Sequence, residues 1–280
     1  MDAEPGTTKP RRPWIAALLT LLVPGLGQLY GGEPGRAIAV YLGYVVLLAG
    51  LLLIGLPKTF SGLIVFLLAL LAYVLWVVWD AVRIARRKQD YVLKPCNRWY
   101  GYVAAVLVAN LLIGPRLLAL SPVKAFRIPS GSMEPAVRVG DHLYADMAGY
   151  RSARPSRGDL VIFVSPDSSG QKLGRVIGLP GERIELRNKL VYVDGQRLGD
   201  PWGHARKDQP ALVFSSPALR ARDDLAPVAI PGDSVFILGD NRDNSYDSRF
   251  YGPVPVSSLQ GRALYIYWSP DRSRIGMSLR

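Results

Sequence analysis

The chain has 280 residues, 34 Lys+Arg against 22 Asp+Glu, 49% apolar residues and a mean hydropathy of +0.15. Apolar content this high excludes a disordered chain, and the single cysteine, Cys96, excludes both a disulfide framework and a thiolate metal cluster. The net charge of +12 does not point to nucleic acid, because no basic run in the globular part is interleaved with aromatics; positive charge beside apolar spans fits membrane topology.

A cut near residue 121 separates two unlike parts. Residues 1–121 carry 12 Lys+Arg against 5 Asp+Glu among long apolar runs, whereas 122–280 carry 22 against 17 and read as a globular domain. A bilayer core of about 30 Å needs roughly 20 apolar residues in a helix. The stretches 37–56, 62–80 and 101–121 are predicted spans. Ala37 to Pro57 and Ile64 to Trp79 hold no charge, and Arg116 lies close enough to the end of the last span to snorkel. Trp76, Trp79, Trp99 and Tyr100 suit interfacial belts. The stretch 14–30 is broken at Pro24-Gly25-Leu26-Gly27, and no small-x-small cleavage site follows it as a removable leader requires. The segment 83–98 holds Arg83, Arg86, Arg87, Lys88, Lys94 and Arg98, so it is expected on the cytoplasmic side, with 122–280 outside. Lys9, Arg11 and Arg12 also prefer the cytoplasm; 14–30 is then a hairpin, or else a span that violates the charge rule. The string PGLGQLYGG resembles the opening of small membrane modules with a Gly-Gln-Tyr turn, a short match that implies no chemistry.

Beyond 122, short β-type runs alternate with Gly/Pro/Asp turns: Leu160–Val164, Arg175–Ile177, Ile184–Leu186, Leu190–Val193, Val235–Leu238 and Ala263–Trp268. Asp194-Gly195 predicts a hairpin turn. The segment 199–231 is Pro-rich and polar, and reads as a loop insertion. The fold class expected is an N-terminal α-helical membrane region followed by a mainly β domain.

Three strings can carry chemistry: Phe126-Arg-Ile-Pro-Ser-Gly-Ser-Met-Glu-Pro135, Arg175-Val-Ile-Gly-Leu-Pro-Gly-Glu182, and Gly239-Asp-Asn-Arg-Asp-Asn-Ser-Tyr-Asp-Ser-Arg249. In the first, a glycine between two serines allows a substrate backbone to approach closely. One serine could attack while the other donates to an oxyanion. A plain Ser-Gly turn satisfies the same spacing, and nothing places His142 or His204 near Ser132 for a Ser-His-Asp triad.

Together these strings resemble the signature boxes of bacterial type I signal peptidases, membrane-anchored serine proteases of the Ser/Lys type. RGDLVIF (157–163), GDHLYAD (140–146) and LYIYWSPDRSRIG (264–276) match as well, so the likeness covers about 122–280. The resemblance implies a β catalytic domain on the periplasmic or extracellular face of the bacterial inner membrane. It implies Ser132 as nucleophile, Ser130 in the oxyanion hole, and Phe126, Ile128 and Met133 lining shallow pockets that admit small side chains by size. It also implies Ser245 orienting the base, with Asp247 and Arg249 a structural ion pair. No metal or cofactor is implied. The partners implied are signal peptides of exported preproteins, cleaved after small-x-small residues, and the lipid bilayer; nucleic acid is not among them.

One position departs from the family pattern. Its lysine base stands immediately before the Arg-Val-Ile-Gly-Leu-Pro-Gly string, where this chain has Gly174. Arg175 cannot replace it, because guanidinium stays protonated. Lys172 is the nearest lysine; on a strand it shares a face with Gly174, which is expected to leave room for its stem. Two readings stay open: a serine endopeptidase with Lys172 as base, or a catalytically silent membrane protein that binds signal-peptide-like segments.

Overall fold

The computed structural model describes residues 10–88, 99–121, 123–167, 170–203 and 223–279. Cys96, His204 and positions 204–222 of the expected insertion lie outside the described residues. The chain divides into two compact units, Met1–Pro122 and Val123–Arg280.

The first unit is helical: α1 (Pro13–Leu22), α2 (Leu26–Tyr30), α3 (Pro34–Leu53), α4 (Phe60–Arg87), α5 (Trp99–Leu107) and α6 (Gly114–Ala119), the last two joined by a π-helical segment, Val108–Ile113. Pro13 and Pro34 open α1 and α3, where a missing N–H costs nothing. Thr59 caps α4, its hydroxyl accepting from the Gly62 N–H at 3.1 Å. Among the described residues, three helical segments are long and apolar enough to cross a membrane: Pro34–Lys58, Phe60–Arg87 and Trp99–Leu117. Between α1 and α2 the chain reverses at Gly25, whose φ is +104° and where a Cβ would lie 2.5 Å from the Ala37 carbonyl oxygen. The reversal brings the Arg12 N–H to the Tyr30 hydroxyl at 3.2 Å. Gln28 then reaches α4, donating to the Val77 carbonyl at 3.0 Å and to Asp80 at 3.1 Å. Asp80 is buried and also takes both Arg36 donors, at 2.9 and 2.5 Å.

The second unit is antiparallel β: β1 (Val123–Arg127), β2 (His142–Asp146), β3 (Leu160–Val164), β4 (Gln171–Gly178), β5 (Arg183–Arg187), β6 (Leu190–Val193), β7 (Gln196–Arg197), β8 (Leu225–Ala229), β9 (Ser234–Leu238), β10 (Val254–Pro255) and β11 (Leu259–Trp268). Two short helices interrupt it, α7 (Gly149–Ser152) and α8 (Ser248–Tyr251). Seven strands form one sheet in the order β1-β2-β11-β3-β4-β9-β10, and four form a second, β7-β6-β5-β8. The continuous apolar run of β3 is explained by burial on both faces. Leu160 and Ile162 join one cluster with Met133, Leu143 and Ile266, while Val161 and Phe163 join another with Val176 and Ile237. A third cluster seats the small sheet, packing Ile184, Leu186 and Val191 on Ile177, Phe236 and Leu238. The β6–β7 turn is Asp194-Gly195, both at positive φ (50° and 79°), as an Asp-Gly hairpin demands.

The expected loop insertion 199–231 is corrected at its far end. Leu225–Ala229 is a strand, β8, because β5 has an open edge that it pairs with from Arg183↔Ala229 to Leu186↔Leu225. Other strands are also absent from the runs read in the sequence; β7 and β10 are two residues long, and the runs of β1 and β2 are punctuated by Lys, Arg, His and Asp. Pairing supplies them, with Phe126 opposite Leu143.

The C-terminal segment is tied down by Asp141, which is buried and accepts two bonds from Arg274, at 2.8 and 3.2 Å, and one from the Ser269 hydroxyl at 2.7 Å. Burial pushes this carboxyl up, but the bonds from Arg274, the Arg138 N–H and Ser269 outweigh it and hold it below the ordinary carboxylate range. A depressed carboxyl stabilises the fold above its unfolded value of about 3.9, and that contribution is lost as pH falls through the lower folded value. Asp141→Asn is therefore expected to lower stability at pH 7 by about 3–5 kcal/mol, the usual cost of orphaning a buried partner. In thermal unfolding of the detergent-purified chain, the gap from wild type should narrow as pH drops below about 4.

Candidate active site

The turn carrying Ser130, Gly131 and Ser132 follows β1. Ile128 is pinned to the segment before β2, its N–H donating to the Asp141 carbonyl at 2.9 Å and its carbonyl accepting from Gly140 at 2.9 Å. Met133, with 1% exposure, plugs the turn into the core. The two serine hydroxyls then sit 3.3 Å apart.

A second loop, the one after β9, holds this turn from the other side. The Asn241 N–H donates to the Ser132 carbonyl at 3.0 Å, and its side-chain amide donates to the Gly131 carbonyl at 3.0 Å. Gly239 makes the crossing possible: a Cβ there would lie 2.2 Å from Ser245 Oγ and 2.7 Å from the Ser132 carbonyl oxygen. Asp247 caps α8, accepts from the Gly239 N–H at 3.0 Å, and pairs with Arg249 at 2.8 and 2.9 Å, both residues being buried. Asp240 pairs with Arg175 through two bonds of 2.8 and 2.7 Å, and Arg175 also reaches the Gly158 carbonyl at 2.7 Å. Arg242 donates to the Gly239 carbonyl at 2.9 Å and to Asp200.

These elements enclose one cleft of about 310 Å³. Its walls include Phe126, Ile128, Ser130, Ser132, Met133, Lys172, Gly174, Ile237, Ser245 and Asp247. Each residue that the family resemblance singled out, Lys172 included, is thus at the cleft except Arg249, which stands behind Asp247. His142 is elsewhere in use: its ring meets the Tyr267 hydroxyl at 3.3 Å and lies 4.9 Å from the Trp268 ring. Sequence reasoning did not single out Asn241, Asp240 or the two tyrosines beside Lys172. The first two were legible in Gly-Asp-Asn, the third string, since short polar side chains after a buried strand tend to bond nearby backbone.

The β3–β4 register runs regularly from Leu160↔Arg175 to Val164↔Gln171, with Lys172 opposite Phe163 and Gly174 opposite Val161. Lys172 therefore keeps to the Gly174 face without a bulge in that pairing. A Cβ at 174 would lie 2.4 Å from Ile237 Cγ2 and 3.3 Å from Phe163 Cε1, so a side chain on residue 174 itself would require Ile237 to move. The Lys172 ammonium stands 3.2 Å from Asp167, with the rings of Tyr246 and Tyr251 at 5.0 and 5.1 Å.

The model of the signal peptidase family, peptidase S26, matches residues 99–268, more than half of the chain. This chain belongs to that family. A probable signal peptidase I-2 of Synechocystis sp. is 34% identical over 185 residues, 64% of this chain and 77% of the relative. A signal peptidase I of Leptolyngbya laminosa is 35% identical over 153 residues, covering 52% and 68% of the two chains. One from Bacillus caldolyticus is 29% identical over 172 residues, 61% and 90%.

The contact between Gly174 and Ile237 yields a prediction. Gly174→Lys alone should lower stability by about 1–3 kcal/mol through overpacking. Ile237→Ala alone should lower it by about 2–5 kcal/mol through a cavity. The double variant should lose less than the sum, because each change relieves the other. Thermal unfolding of the four proteins measures that coupling, and additive losses would refute the contact.

Proposed function

We propose that this chain is a membrane-anchored serine endopeptidase that removes signal peptides from exported preproteins after small-x-small residues, with Ser132 as nucleophile and Lys172 as general base. The observation that carries the reading is that Ser130, Ser132, Ser245 and Lys172 line one cleft, in which Lys172 is the one lysine among the described lining residues.

The steps follow from the groups present. Ser132 Oγ attacks the scissile carbonyl carbon as its proton passes to the neutral Lys172 amine. The oxyanion is received by the Ser130 hydroxyl and the Ser132 N–H. Collapse breaks the C–N bond, Lys172 returns the proton to the leaving amine, and an acyl-serine remains. Water then attacks the ester, giving a proton to Lys172; Lys172 returns it to Ser132 Oγ as the C–O bond breaks, and the free carboxylic acid loses its proton to solvent. Phe126, Ile128 and Met133 exclude large side chains from the cleft by size, Ser245 orients the base, and Asp247 with Arg249 supports the loop that carries it.

A second reading, a silent binder of signal-peptide-like segments, is favoured by the absence of lysine at Gly174 and by the engagement of Lys172 with Asp167. Cleavage of a preprotein by the purified full chain decides between them. With Lys172 as base, wild type cleaves, while Ser132→Ala and Lys172→Ala lose nearly all turnover. Ser130→Ala loses about 10²-fold. An inactive wild type establishes the binder, and an active Lys172→Ala removes Lys172 from the mechanism.

The basic segment 83–98 is read as cytoplasmic and the β unit as external. Cys96 should then resist an impermeant thiol reagent in intact cells and react after lysis; labelling of intact cells would reverse the orientation.

A further inference from the structure

Three features around Lys172 are left unused by the chemistry above. Asp167, on the turn after β3, places Oδ1 3.2 Å from Lys172 Nζ. Ser165, the first residue beyond β3, donates its hydroxyl to the same Asp167 oxygen and so aims the carboxylate across the strand pair. The ring faces of Tyr246 and Tyr251 stand about 5 Å from the ammonium, a distance at which a ring attracts a cation and not a neutral amine. Of the other charged residues that line the cleft, Asp247 is paired with Arg249, and Arg127 ends β1. The Lys172 side chain is 30% exposed and that of Asp167 27%, so both sit at the mouth of the cleft, within reach of an arriving chain.

We infer that Asp167 is a positioning residue for the cleavage reaction: it latches Lys172 as an ammonium in the resting site, and an arriving peptide must displace the contact before the amine can serve Ser132. The inference rests on Lys172 being the base. Two kinds of contact hold the amine in place, a carboxylate at 3.2 Å and two ring faces at about 5 Å. The Ser165 hydroxyl, and with it Lys172, keeps the Asp167 carboxyl below the ordinary carboxylate range against desolvation, so the latch stays charged wherever the enzyme works. Release transfers one proton from Lys172 to solvent; no other reactant is needed. Because the pair is partly exposed, screening limits its strength. The latch therefore slows the reaction and does not block activity outright.

The test uses the full chain in detergent, with wild type, Asp167→Asn and Asp167→Glu. Two quantities are read: the pH dependence of preprotein cleavage, and the pH dependence of acetylation of Lys172 Nζ by acetic anhydride, followed by peptide mass spectrometry. Asp167→Asn should raise the rates of cleavage and of acetylation together on the acid limb, by about 3- to 10-fold. Asp167→Glu, which restores the charge, should return both toward wild type. Unchanged acetylation of Lys172 in Asp167→Asn overturns the latch while leaving the result for Lys172→Ala intact. Raised acetylation beside unchanged cleavage removes Lys172 as the base, and the inference goes with it.

Discussion

The geometry of the site depends on one crossing of two chain segments. The loop after β9 passes under the Ser-Gly-Ser turn so closely that the Asn241 N–H bonds the Ser132 carbonyl, and only a glycine fits at 239. Neither segment belongs to a helix or a strand at that point, so neither has a ladder to hold it. Side chains provide what the ladder does not. Asp247 takes the Gly239 N–H, Arg242 takes its carbonyl, and Asp240 is clamped to β4 through Arg175. A buried ion pair adds little net stability, but removing one partner leaves an uncompensated charge at a cost of about 3–5 kcal/mol. Such pairs therefore make a loop conformation costly to leave.

The departure at Gly174 acquires a physical meaning from the packing around it. Loss of a lysine stem from the middle of β4 would leave a void against Ile237 and Phe163. Here the isoleucine sits against the glycine backbone, and the strand keeps its regular pairing with β3. The cleft is left with a lysine one pleat nearer its mouth, where solvent and a carboxylate can reach it. A lysine in that position is more exposed than one set in the apolar core. The chemistry available to the site is thereby tied to what covers Lys172.

In the helical unit a comparable economy appears. Gln28, Asp80 and Arg36 form one buried-to-exposed chain of hydrogen bonds that fastens the α1–α2 reversal to α3 and α4. Gly27 adds close contact, since a Cβ there would lie 2.7 Å from the Ala81 Cβ. Ala16, Ala81 and Ala85 make the seam between α1 and α4. Small residues let backbones approach where apolar burial against lipid provides no drive, and polar bonds provide the specificity.

Much of this was readable in the residues alone. Charge-free apolar runs mark helices of bilayer length because backbone polar groups have no other partner in hydrocarbon. The apolar run of β3 and the Asp-Gly turn are local signals, carried by neighbours in sequence. The serines, Asp247 and Arg249 were found because their strings resemble a known set, and the absent lysine because one position in such a string was glycine. What sequence could not contain is contact between distant segments. The charged residues that punctuate β1 and β2 hide strands that only pairing creates, and β8 exists because β5 had an edge to fill. That Ile237 closes the space at Gly174, that Asn241 holds Ser132 and that Asp167 meets Lys172 are facts of register and packing. Each depends on which side of a sheet a residue faces and what stands opposite, and that is decided when the strands assemble.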